Sequence, residues 1–512
     1  MKKNKLVKKG TSLIIVVLAV KLIGFLKQSV IAWKFGTLPV LDSYFAADGF
    51  VSMIGQIVLA SIPPAIITLY LKIREKSKRD NFICSTFLFL TAVGLMGAII
   101  VVFMAPLLAK MLGVSFDGGQ ISELSKFIII LSPLILFACI SSVSSGLLQA
   151  KNIFIPEKLL GLFLSVGIIL SVFLFAPKIG INSLLIGFMI GYCIYFIMMF
   201  VLLIKNSRIK IVNPMRDPAF AKFLRIVIPI VVGVSIVDLS HLIDRIIASS
   251  LASGSVSSLY YSQIISGDLI NGVVIASIGM VLLPKLSTDA QNKTKLEVLN
   301  SLKKIMGVVT PVILVITAIY LMIGENLVSV AFQRGEFTYE STIAVSNCVV
   351  GYAVGFIFIL VKELFIKYFY AQEDTSTPMM ANIVGIVVNI VLSLFLSSRI
   401  GVQGIAYATS FSYLVSDLVL FRKIRLDVGG GCRYAKWNVG RELGKNILIL
   451  AISVMSGMAI RSIPISNNVL SVFAVSLPMI LTFGAGSLLL KTTFGRLLAY
   501  GIHKIIFRRY SK

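Results

Sequence analysis

Residues 20–42 read VKLIGFLKQSVIAWKFGTLPVLD. They are the second half of an apolar segment that begins near residue 11 and is long enough, at about 20 residues or more, to cross a bilayer as a helix. Inside it stand Lys21 and Lys27. A charge at mid-membrane depth costs about 2.5–3.5 kcal/mol on insertion scales, so two of them demand a protein-lined or wet surrounding. Lys21, Gly24 and Lys27 or Gln28 recur at helical spacing, which puts both ammonium groups on one stripe.

The same frame returns further along. IAWKFGTLPVLDSYFA (31–46) lines up with IASSLASGSVSSLYYS (247–262), LASI (59–62) with IASI (275–278), and FDGGQISELS (116–125) with FQRGEFTYES (332–341). One offset, the 216 residues from Ile31 to Ile247, serves all three blocks. AKNIFIP (150–156) and QEDTSTP (372–378) extend the match, with the offset grown to the 222 residues from Pro156 to Pro378. Chance similarity among apolar helices would let the offsets drift. Ahead of the second copy, again in an apolar run, are Asp238, His241, Asp244 and Arg245. Two equivalent helices that carry buried charge predict one central polar site shared by two halves.

Composition sets the solvent. The 512 residues are 57% hydrophobic and 14% charged, with a mean hydropathy of +0.96; a soluble chain carries about 25% charged residues. The expected fold class is an all-α polytopic membrane protein. Reading for spans of about 20 apolar residues gives about fourteen transmembrane helices. They fall near 11–36, 44–72, 83–111, 121–149, 153–176, 180–204, 219–248, 257–283, 302–331, 341–371, 378–398, 401–422, 441–463 and 467–494. The net charge of +26 does not signal nucleic acid, because the basic residues sit in alternate short loops: the N-terminus, 72–79, 151–158, 205–225, 285–304, 422–445 and the tail HKIIFRRYSK. The loops between them are poor in Lys and Arg, and this bias places both termini in the cytoplasm. The run after MKKNKLVKK is too long and too charged for a cleaved signal peptide.

Each repeat holds six spans, an even number, so both copies cross the membrane in the same sense. That predicts two six-helix lobes in a parallel repeat, 1–204 and 205–422, with a site between them near the midplane. Residues 423–512, with a basic loop, two extra helices and a basic tail, lie outside the repeat.

No catalytic motif is present. There is no G-x-x-x-x-G-K-[ST] for a nucleotide and no H-E-x-x-H, and the chain has only two histidines. VGGGC (428–432) lacks the P-loop lysine and reads as a linker. Five cysteines show no C-x-x-C spacing, so neither a disulfide framework nor a metal site is expected. The Asn292-Lys293-Thr294 sequon falls on the cytoplasmic side, and SSVSSG (141–146) reads as close helix packing. Intramembrane polar groups remain. Lys21, Lys27, Asp42, Asp48, Gln56, His241 and Arg245 are the candidate lining of a central cavity. Asp238, Asp244 and Asp268 are candidates for a coupling ion or a charge pair. Asp238, His241 and Arg245 share a face at i, i+3 and i+7, where Asp238 and Arg245 neutralise each other, or else His241 or Arg245 faces substrate while an Asp holds a coupling cation. Asp417 is a further polar intruder, while Lys362, Glu363 and Lys367 lie toward the cytoplasmic end of the tenth span. No cofactor is expected; Na+ or H+ coupling, or the membrane potential, supplies energy.

These residues resemble the MurJ/MviN family of lipid II flippases, within the superfamily of multidrug and oligosaccharidyl-lipid exporters. The likeness rests on K-x-x-G-F-x-K-x-x-x-x-A-x-x-F-G (21–36) with Asp42, GSVSSLYYS (254–262), VLLPKLS (281–287), FQRGEFT (332–338) and YAQEDTSTP (370–378). The resemblance implies fourteen spans, a groove framed by the last helix pair, and outward flipping of undecaprenyl-diphosphate-linked sugars by alternating access. It also implies a place in the bacterial cytoplasmic membrane and partners among membrane lipids and cell-envelope synthesis enzymes. The chain departs from the family in its first span, where lysines stand for arginines and lose the bidentate fork that suits a diphosphate. Gly55 and Ile264 lie near two further places where the family carries arginine. Lipid II, or a related cell-envelope polysaccharide precursor, is therefore the expected substrate class. The alternative is a cation-coupled drug or metabolite antiporter of the same superfamily, whose cavity should be rich in carboxylates rather than lysines. A non-transporting scaffold would leave the buried charges without a purpose.

Overall fold

The computed structural model describes residues 2–207, 213–214, 217–268, 270, 282, 286–428, 439–463 and 467–500, and among them there is no strand. The helices run α1 (Lys2–Phe35), α2 (Pro39–Lys72), α3 (Lys76–Leu112), α4 (Gly118–Leu131), α5 (Pro133–Ala150), α6 (Ile155–Lys158), α7 (Leu160–Ile179), α8 (Asn182–Asn206), α9 (Pro218–Ser249) and α10 (Ser255–Gln263). A π-helical turn, Ile264–Asp268, follows α10. Then come α11 (Lys295–Phe332), α12 (Tyr339–Val354), α13 (Phe356–Ala371), α14 (Ser376–Ile400), α15 (Gln403–Val428), α16 (Val439–Arg461) and α17 (Asn468–Leu489). Helices alone answer the bilayer's demand that every backbone N–H and C=O be satisfied within the segment.

Twelve of these stretches are long and apolar enough to span a membrane, and α12 with α13, bent by 42°, makes a thirteenth. All but one of the fourteen expected spans are accounted for. The remaining one, 257–283, begins in α10, and most of its second half lies outside the described residues, as do parts of the loops at 205–225, 285–304 and 422–445 and the basic tail. Large apolar side chains face outward along the spans, Phe103 at 82% exposure and Leu174 at 65%. Such a surface is stable only against lipid.

The sequence repeat has a structural echo. The fourth span of each half is interrupted, between α4 and α5 at Ser132 and between α12 and α13 at Gly355. The fifth and sixth spans of each half are joined by a left-handed glycine, Gly180 (φ 55°) after α7 and Gly401 (φ 69°) after α14.

The chain divides into two compact units: residues 1–257 with 334–338, and residues 258–333 with 339–512. In the first unit α2 is the axis, packed by α4, α5 and α9. Its core joins Ile66 and Leu69 of α2 to Phe82, Val143, Leu203, Phe220 and Phe223. The seventh span, α9, which opens the second sequence repeat, thus packs with the first unit. Apolar contact alone does not hold helices together in lipid, where small residues that admit close approach do more. Between α7 and α8 a Cβ on Gly187 would lie 2.6 Å from the Ile168 backbone and 2.7 Å from the Gly167 carbonyl, so the two helices touch backbone to backbone. In the second unit, α16 and α17 pack on α11 through Ile319, Ile323, Ile449, Val475, Met479 and Phe483. Polar ties reinforce that seam, with Asn468 Nδ2 donating to Ser329 Oγ at 2.7 Å.

Candidate functional site

Lys21 and Lys27 lie on α1 within the span Ile15–Phe35, Lys21 exposed and Lys27 half-buried. Gln28, beside them, is 6% exposed. The helix packs on α7, with Trp33 against Phe173 at 5.8 Å between ring centroids.

The start of α2 is enclosed on every side: residues 41–49 are all buried. Asp42 and Asp48 lie in this stretch and Gln56, two turns on, is exposed. Asp48 accepts a hydrogen bond from Ser52 Oγ at 2.7 Å. Asp42 is 1% exposed and both of its oxygens are taken. Gly254 N donates to Oδ2 at 2.7 Å, Ser257 N donates to Oδ1 at 2.8 Å, and the Ser257 hydroxyl donates to Oδ1 as well. Three donors from one turn thus converge on a single buried carboxylate. The geometry gives Asp42 the role of a pin between the start of α2 and the turn before α10.

That pin belongs to a larger joint at one end of the first unit. The turn 113–117 meets the end of α9, with Val114 N donating to Ser249 Oγ at 3.2 Å and Ser115 Oγ to the Ser250 carbonyl at 3.3 Å. In the second repeat the stretch 334–338, just beyond the residues that match this turn, meets the end of α1, with Glu336 N donating to the Trp33 carbonyl at 3.0 Å. Each repeat thus hooks the first helix of the other. Gly36 (φ 53°) and Gly335 (φ 59°) sit at this contact, and a Cβ on Gly36 would strike the Glu336 carbonyl. Any other residue would meet both a strained backbone and a steric wall. Gln120 completes the joint: it closes a capping box with Asp117 at the start of α4, and its Nε2 donates to the Pro39 carbonyl at 3.1 Å.

On α9, Asp238 and Arg245 are partly buried and His241 between them is exposed, so the predicted face is open to its surroundings. Asp244, one turn after His241, is 1% exposed. Arg245 lies across α2, where its guanidinium carbon is 2.9 Å from the place a Gly49 Cβ would occupy. The structure therefore places Arg245 against Gly49 of α2, one residue from Asp48, with Asp42 tied to the turn after α9 and Lys21 and Lys27 on a separate helix of the same unit. Asp268 ends the π-helical turn, and its side chain lies outside the described residues.

Two groups in the second unit are worth placing. Lys362 Nζ sits 5.0 Å from the Tyr413 ring centroid, and Asp417, one turn beyond Tyr413 on α15, is 6% exposed. The DTSTP stretch is a helix start: Asp374 accepts from Ser376 Oγ at 2.9 Å, Thr377 N at 3.0 Å and Thr377 Oγ1 at 2.6 Å. Burial pushes the Asp374 carboxyl up, but the Thr377 and Ser376 bonds outweigh it and hold it below the usual carboxylate range. Its contribution to stability is thus complete at neutral pH and fades as pH falls through that lowered value.

Sequence reasoning did not single out Gly49, Gln120 or Ser52. Gly254 and Ser257 stood in a recognised motif, but their bond to Asp42 was not visible.

Comparison with known proteins completes the description. The family described as "Lipid II flippase MurJ" matches residues 31–482. A "Probable lipid II flippase MurJ" of Vibrio cholerae is 26% identical over 479 residues, 89% of this chain and 88% of that protein. One of Rhizobium meliloti is 27% identical over 431 residues, 81% of this chain and 80% of that protein. Among solved structures, a lipid II flippase MurJ in an inward closed conformation superposes with a TM-score of 0.83 at 22% identity, covering 94% of this chain and 98% of that one. An inward-facing multidrug resistance MATE transporter superposes with 0.65 at 13% identity, covering 81% and 98%; these two likenesses concern the fold. With the family match running across most of its length, the chain belongs to the MurJ family of lipid II flippases.

Proposed function

We propose that this protein moves an undecaprenyl-diphosphate-linked saccharide, lipid II or a related cell-envelope precursor, from the inner to the outer leaflet by alternating access. The observation that carries the reading is cationic charge inside membrane-spanning helices, Lys21 and Lys27 on α1 and Arg245 on α9, in a chain of this family. A lipid diphosphate carries at least two negative charges that hydrocarbon cannot solvate, and fixed cations supply the compensation. The lipid tail stays in the bilayer, beside the α16–α17 pair.

The moving bodies in this reading are the two six-helix lobes, 1–204 and 205–422, with 423–512 as an appendage. Both termini face the cytoplasm, in keeping with the loop charges. The joint around Asp42 is the outer closure, which opens once per cycle. Asp238, Asp244 and Asp268 stand for the coupling-ion or charge-pair set, and a cation gradient or the membrane potential drives the cycle. A drug antiporter shares the fold, but nothing in the first span offers the carboxylates that a cationic drug requires.

Depletion of the protein, followed by mass analysis of undecaprenyl-linked intermediates, tests the function. An accumulating inward-facing lipid-linked sugar is the expected result. Unchanged lipid intermediates with altered drug tolerance would transfer the assignment to the antiporter.

A further inference from the structure

The place where α9 crosses α2 carries an arrangement that neither helix shows alone. Gly49 closes the nine-residue buried run of α2. A Cβ built on it would collide with Arg245 Nη1 and lie 2.9 Å from Cζ and 3.0 Å from Cδ. Three successive parts of one arginine side chain thus rest on the missing methyl. The flat guanidinium lies against backbone, a seat that only glycine leaves open. One residue back along α2 the Asp48 carboxylate is held by Ser52 Oγ at 2.7 Å, and one residue back along α9 Asp244 is buried.

We infer that Gly49 is a positioning residue for Arg245: it lays the guanidinium across α2 and holds its planar fork in a fixed direction for the diphosphate of the transported lipid. The inference rests on the flippase reading above. An arginine on a flexible stem spends rotamer entropy when it is immobilised by a ligand. A side chain already laid into a backbone seat has paid that cost on folding, so its donors meet the phosphate oxygens pre-oriented.

The test is a double-mutant cycle on the full chain, Gly49→Ala, Arg245→Ala and the pair, read by melting in detergent and by flipping of a labelled undecaprenyl-diphosphate saccharide in proteoliposomes. Gly49→Ala should lower the melting temperature, and Arg245→Ala added to it should restore the Arg245→Ala value, because the collision is gone. Each single variant should flip at least tenfold more slowly than the parent, and the pair no more slowly than Arg245→Ala alone. Gly49→Ala with Arg245→Lys should melt above Gly49→Ala and recover part of the rate, since a lysine lacks the Nη1 that the added methyl strikes hardest. A Gly49→Ala penalty that persists in the Arg245→Ala background would overturn the inference, as would a Gly49→Ala variant that melts and flips like the parent. Normal flipping by Arg245→Ala would remove the arginine from substrate contact while leaving the flippase reading intact. A parent protein that flips nothing would sink that reading, and with it the link to diphosphate, whereas the melting cycle still decides the seat.

Discussion

Replacing Lys21 and Lys27 together by Gln should cut flipping at least tenfold while the protein accumulates at the parental level. Both lysines stand in the span Ile15–Phe35, where each charge adds about 2.5–3.5 kcal/mol to the cost of insertion. Their removal therefore eases insertion rather than hindering it, and a loss of transport cannot be laid to failed assembly. The paired change to Arg is the control. It keeps both charges and adds a bidentate fork suited to phosphate, so its activity should equal or exceed the parent's. Transport and membrane abundance measured on the same preparations separate the cases. A fully active double Gln variant would end the proposed role of the first span.

Asp42→Asn should loosen the joint at the start of α2. Gly254 N and the Ser257 N–H and hydroxyl all donate to one carboxylate. An amide turns one of its two acceptor edges into a donor, which then faces a backbone N–H across a buried contact. Leaving a buried donor unsatisfied costs about 1–3 kcal/mol, and each 1.4 kcal/mol is about a tenfold change in an equilibrium. The variant should therefore melt at a lower temperature than the parent and spend more of its time with the joint open. A cysteine in place of Ser43, fully buried in the present structure, reports the opening by maleimide labelling once the native cysteines are replaced. Labelling should rise at least several-fold in Asp42→Asn. Ser257→Ala keeps both backbone donors paired and should have the smaller effect. Equal labelling of the parent and Asp42→Asn would show that the pin does not hold the closure.

Much of the fold is legible in the chain because the bilayer leaves one solution to each apolar run of about 20 residues, a helix with its backbone satisfied internally. The interruption at Pro133 was foreseeable from its ring, whereas that at Gly355 was not, since an isolated glycine inside a helical pattern does not by itself break it. The site was legible in kind and not in arrangement. Lys21 and Lys27 announce themselves because charge is out of place in a span. Asp42 entered with the family motif at 21–36, yet what it does depends on donors 212 and 215 residues further on, and no local pattern reports such a distance. Gly49 is harder still, because its contribution is an absent methyl that matters only once α9 lies across α2. Likewise, the repeat sets α9 at the head of the second copy, while the core it joins through Phe220 and Phe223 belongs to the first unit. Sequence symmetry records ancestry; packing records which faces are complementary.

The passage of a lipid diphosphate across the membrane is the central act, and reconstitution measures it directly. Purified protein is placed in vesicles that carry a fluorescent undecaprenyl-diphosphate saccharide, and an impermeant quencher reads how fast inner-leaflet label reaches the outer surface. An ion gradient or membrane potential is imposed. Vesicles with the parent protein should lose the protected signal at a rate at least tenfold above that of empty vesicles or of vesicles with the Lys21 and Lys27 double Gln variant. Protection that decays no faster with the parent protein than without it, under either driving force, would contradict the account.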